Sequence, residues 1–61
     1  MTDAEFVKQT RKAYGITQTE FAGMMRVTLR TVQYWEGGGT LPPIVKMAIK
    51  LRAEKDGVEI G

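Results

Sequence analysis

Few side chains in this sequence can do chemistry, and the most telling are cationic, amidic or phenolic. Arg30 and Tyr34 stand one helical turn apart, so on a helix they share a face. Arg30 opposes Val32 on the helical wheel, which turns it away from any core that takes up Val32 and Trp35. A guanidinium held outward in this way matches the N7 and O6 acceptors of guanine with two hydrogen bonds. Tyr34 on the same face is a DNA contact, a dimer contact or an ordinary surface residue. Catalysis finds no support. The chain has no His and no Cys, and no Ser stands anywhere in it. Its acidic residues cluster at helix starts and ends, where caps and the helix dipole account for them. Without Cys and His the usual zinc-ligand spacings cannot occur. No metal, cofactor or small-molecule ligand is expected. Gly37-Gly38-Gly39 has no Lys-Ser or Lys-Thr after it, so it is not a phosphate-binding loop.

Four helical segments position these groups. The first spans about Asp3 to Tyr14. Thr2-Asp3-Ala4-Glu5 is a capping box, Phe6, Val7, Thr10, Ala13 and Tyr14 form the inward face, and Gly15 ends the helix by accepting positive φ. The second spans about Gln18 to Met25, opens on the capping box Thr17-Gln18-Thr19-Glu20, and carries Phe21, Ala22 and Met25 as its apolar stripe. A short break at Arg26-Val27 follows. The third spans about Leu29 to Glu36 behind Thr28 as N-cap, and the three glycines stop it as a flexible helix end. The fourth begins at Pro42-Pro43, whose fixed φ suits a first turn, and continues to about Glu54. Ile44, Met47, Ala48 and Leu51 are its expected inward stripe, with Val45 and Ile49 as a second apolar stripe. Beyond Gly57, Val58 and Ile60 alternate with Glu59 at a strand-like period. The fold class is therefore all-α: a compact four-helix domain over residues 1–55 containing a helix-turn-helix, with a short C-terminal tail over 56–61.

Segments two and three are short helices joined by a tight turn, and the small Ala22 lets the two backbones cross closely. That arrangement holds a recognition helix out from a domain and into a major groove. Ile16-Thr17-Gln18-Thr19-Glu20-Phe21-Ala22, then Val27-Thr28, then Thr31-Val32-Gln33-Tyr34-Trp35-Glu36-Gly37-Gly38 resemble the lambdoid phage repressor and Cro helix-turn-helix family, also called the xenobiotic-response-element family. The resemblance runs from about Phe6 to Leu51. It implies that Gln18 touches the DNA backbone or a base, and that Thr28, Leu29, Arg30 and Tyr34 face the groove with Thr31 and Gln33 beside them. It also implies that Val32 and Trp35 are core and that Arg11 pairs with a buried Glu36. Leu29, apolar where members often carry a polar base reader, meets a thymine methyl group or tucks under the domain. Arg26 stands where the family usually has the glycine of the turn, so it should be strained if the turn keeps its shape; its charge lies close to the DNA-facing helices. The family often has a fifth helix, for which this sequence has no room. The Gln33-Tyr34-Trp35-Glu36 close and the compact helix after Pro42-Pro43 further resemble small phage autoregulators encoded beside anti-CRISPR genes.

The expected activity is sequence-specific binding of double-stranded DNA by a repressor, an autorepressor acting on an inverted-repeat operator. The alternatives are an antitoxin that also represses its operon, and a protein-binding adaptor. A net charge of +2 is a weak argument for nucleic acid by itself. At 61 residues the chain is one domain, in the size range below roughly 70–80 residues where disulfides, a metal or a partner subunit usually add stability. With disulfides excluded, a partner subunit is the expected stabiliser. A homodimer also suits half-sites about 34–36 Å apart, and Val45, Ile49, Val58 and Ile60 are its expected interface; the alternative is that Val45 and Ile49 extend the core and the tail is frayed. The acidic start, without an apolar run, is no signal peptide, and no stretch has the length of a membrane span. The expected place of action is the cytoplasm of a prokaryotic or phage-infected host cell.

Overall fold

The computed structural model describes residues 1–60; Gly61, the last residue of the expected tail, lies outside them. Among the described residues there are four helices and no strand: α1 Asp3–Tyr14, α2 Gln18–Met25, α3 Leu29–Glu36 and α4 Pro43–Lys55. Local chemistry sets their ends. Thr2 Oγ1 accepts from the Glu5 amide at 3.2 Å, while the Thr2 amide donates to Glu5 Oε1 at 3.1 Å. This exchange satisfies two amides that no helical carbonyl can reach. Thr17 and Glu20 repeat it at the start of α2, at 3.1 and 2.9 Å. Gly15 takes φ 69° and closes α1. Gly57, also at φ 69°, turns the chain after α4, so that the Val58 amide donates back to the Ala53 carbonyl at 2.8 Å.

The core joins Phe6 and Val7 of α1, Phe21 and Ala22 of α2, Val32 and Trp35 of α3, and Ile49 of α4, with Leu41 from the connection that precedes α4. Helix α3 packs against both α1 and α2. Thr10 is fully buried on α1, and its hydroxyl donates to the Phe6 carbonyl one turn back at 2.7 Å. That local bond removes the penalty of burying a hydroxyl. Ala13 is exposed and Tyr14 half-buried, so the inward face of α1 is narrower than its spacing predicts.

Helix α4 corrects the expectation more deeply. Ile49 is 1% exposed and Ala53 2%, whereas Ile44, Met47 and Leu51 are 72%, 57% and 58% exposed. The inward stripe is Val45, Ile49 and Ala53, about 165° around the helix from the exposed one at 100° per residue. Ile49 thus lies in the core of its own domain and Val45, half-buried, packs against that core. Buried Leu41 anchors the chain just ahead of Pro42. Lys46 Nζ reaches Asp3 Oδ1 at 3.2 Å and lies 5.2 Å from the Phe6 ring centroid, which fixes the same rotation from the flank. In the tail, Ile60 is half-buried and packs against the core, and Val58 is half-buried.

Candidate nucleic-acid interface

The turn between α2 and α3 is built on one residue in an unusual conformation. Arg26 has φ 57° and ψ 43°, the left-handed region, and among the described residues it is the one non-glycine at positive φ. The turn therefore keeps the shape that favours glycine, and Arg26 holds it under strain. The geometry lets the Val27 amide donate to the Ala22 carbonyl at 2.9 Å. Ala22 itself is 4% exposed where α2 enters the core. Thr28 then caps α3: its Oγ1 accepts from the Thr31 amide at 3.1 Å and lies 2.9 Å from the Thr31 hydroxyl.

Helix α3 divides cleanly. Val32, Trp35 and Glu36 are buried behind it; Arg30, Gln33 and Tyr34 are exposed in front. Thr28, Arg30, Thr31 and Tyr34 together line an open recess of about 350 Å³. Leu29 is 40% exposed, so it is not tucked under the domain. Arg26 is also exposed.

A polar cluster locks the back of this unit. Arg11 Nε and Nη2 donate to Glu36 Oε2 and Oε1 at 2.9 and 3.1 Å, a bidentate pair of the strong kind. Gln18 Nε2 donates to Glu36 Oε1 at 3.2 Å, and Arg11 Nη1 donates to the Ile16 carbonyl at 3.4 Å. One carboxylate thereby ties together α1, the first residue of α2 and the last residue of α3. Burial alone would raise the Glu36 carboxyl. The hydrogen bonds from Arg11 and Gln18 and the guanidinium charge outweigh it, and the group titrates below its ordinary range. Among the described residues no buried side-chain polar atom lacks a partner. The bond to Gln18 is long-range and leaves no local signature in the sequence. It commits one N–H of the Gln18 amide and leaves the oxygen and the other N–H for a further partner.

Among the described residues, no three carboxylate, imidazole or thiolate side chains come together to hold a metal ion, and no helix is long and apolar enough to cross a membrane. Two short helices meet at a left-handed turn, and the second is pinned from behind while its polar face projects. This is a helix-turn-helix DNA-binding domain. The family model for helix-turn-helix proteins matches residues 7–51, and the chain belongs to that family, in its Cro/C1-type branch. It is a DNA-binding transcription regulator of that type. No curated protein and no solved structure gives a match.

Proposed function

We propose that this chain is a transcriptional repressor that binds an inverted-repeat operator through the major groove as a homodimer, with α3 as its recognition helix. The observation that carries the reading is the division of α3. Three buried residues, one of them ion-paired, fix its back, and Arg30, Tyr34, Thr28 and Thr31 gather on the projecting side. In this reading Arg30 pairs with guanine, Leu29 meets a thymine methyl group, and Tyr34, Thr31 and Gln33 contact the groove beside them. Gln18, Arg26 and Thr28 meet phosphates, which set register rather than sequence preference. An operator-bound dimer obstructs transcription by occupying the promoter, in the cytoplasm where that DNA lies.

The domain measures 26 × 22 × 18 Å, shorter than the roughly 34–36 Å between successive half-sites, so one copy spans one half-site. The dimer face is the exposed stripe of α4, Ile44, Met47 and Leu51 with Ala48, in place of Val45 and Ile49. Contiguous exposed apolar side chains mark interaction surfaces. The test is to select duplexes from a random pool with the wild-type protein and measure binding of the winner and of a scrambled duplex. Arg30→Ala should lose about 1–3 kcal/mol on the selected duplex and relax the preference between the two. Equal losses on both would make Arg30 a phosphate contact, and failure to select any duplex would overturn the operator reading.

A further inference from the structure

The three glycines after α3 are not equivalent. Gly38 has φ 101° and owes its identity to the backbone. Gly39 is not at positive φ, so its backbone tolerates a side chain; the space does not. A Cβ there would stand 2.5 Å from Cε2 and Cζ of Tyr34 and 2.6 Å from Cδ2, where carbon contacts are comfortable at about 3.5–4.0 Å. Near-equal distances to three consecutive ring carbons put that position over the face of the ring, not at its edge. The Gly39 amide donates to the Tyr34 carbonyl at 2.8 Å, which ties this backbone to the residue whose ring covers it. Tyr34 as a whole is 58% exposed and borders the recess with Thr28, Arg30 and Thr31.

We infer that Gly39 is a positioning residue for DNA recognition: its bare α-carbon is the seat on which the Tyr34 ring rests beside Arg30. An exposed tyrosine on a helix otherwise divides its time between rotamers, and ordering it on binding weakens the complex. The seat orders it beforehand. Adding a methyl group evicts an exposed ring that is free to swing into solvent, so the cost falls on recognition and not on folding. The inference rests on the reading that Tyr34 contacts DNA, and the experiment separates the two.

In the free protein, NMR should show a Gly39 α-proton shifted upfield by the ring, returning to its ordinary position in Tyr34→Ala. An unshifted proton overturns the seat, whatever the DNA data show. Gly39→Ala should keep the wild-type melting temperature within a few degrees and bind the selected duplex about three- to tenfold more weakly. In a Tyr34→Ala background the same substitution should change binding no further. Wild-type affinity for Gly39→Ala, or the same loss in both backgrounds, overturns the positioning role. If Tyr34→Ala itself binds like wild type, the DNA contact has failed and the positioning role falls with it, while the proton shift still reports whether the seat exists.

Discussion

Replacing Glu36 by alanine removes the carboxylate on which Arg11 and Gln18 converge, and its effect can be worked from the structure. The Glu36 side chain is 5% exposed and that of Arg11 23%. Breaking a buried pair by deleting one partner costs about 3–5 kcal/mol. Arg11 keeps a foothold in water and can rehydrate, so the lower end applies, about 3 kcal/mol. A chain of this size has a total stability of only about 3–9 kcal/mol at 0.05–0.15 kcal/mol per residue, and each kcal/mol moves the melting temperature by about 4–8 °C. Glu36→Ala should therefore melt roughly 12–24 °C lower by circular dichroism. Arg11→Met should also destabilise, because it strands the carboxylate, and the double mutant should recover part of the combined loss. Acid should act on the same contact. Because the Glu36 carboxyl titrates low when folded, its contribution is present above the unfolded value of about 4.3 and is lost as the pH falls through the folded value. Additive losses in the double-mutant cycle, or a melting temperature within about 4 °C of wild type, less than 1 kcal/mol at that conversion, would refute the reasoning.

Arg26→Gly should raise stability by up to about 1 kcal/mol by relieving the left-handed arginine, seen as a melting temperature higher by several degrees; a clearly lower one would mean that the Arg26 side chain contributes more than its backbone costs. Leu51→Lys on the exposed face of α4 should leave the fold intact and give a monomer by light scattering, whereas Ile49→Lys should fail to fold. A Leu51→Lys protein still as large as the wild type would remove α4 from the interface. The Tyr14 hydroxyl donates to Asp56 Oδ2 at 2.6 Å, and burial together with that bond pushes its pKa up to about 12. Its contribution to stability is therefore complete below the free value of about 10 and is lost as the pH rises through about 12. Asp56→Ala should lower the Tyr14 titration followed by NMR, and an unchanged midpoint would rule out the bond.

The sequence by itself determined where the helices begin and end and that segments two and three make a helix-turn-helix. Those features rest on chemistry between residues three or four apart: Thr2 with Glu5, Thr17 with Glu20, Thr28 with Thr31, and Gly15 at its positive φ. Arg30 and Tyr34 were legible as outward residues for the same reason, since Val32 and Trp35 leave α3 only one apolar side. In α4 that logic fails, because Ile44-Met47-Leu51 and Val45-Ile49-Ala53 satisfy the helical period equally well. Which stripe turns inward depended on Leu41 and on the Asp3–Lys46 contact, across 43 positions of chain. Leu41 itself, a single apolar residue ahead of two prolines, carried no periodic signal at all. The bond from Gln18 to Glu36 and the Tyr34 ring over Gly39 are likewise meetings of groups that no local spacing announces. Periodicity tells how a helix divides its faces; only the neighbours it packs against decide which face they cover.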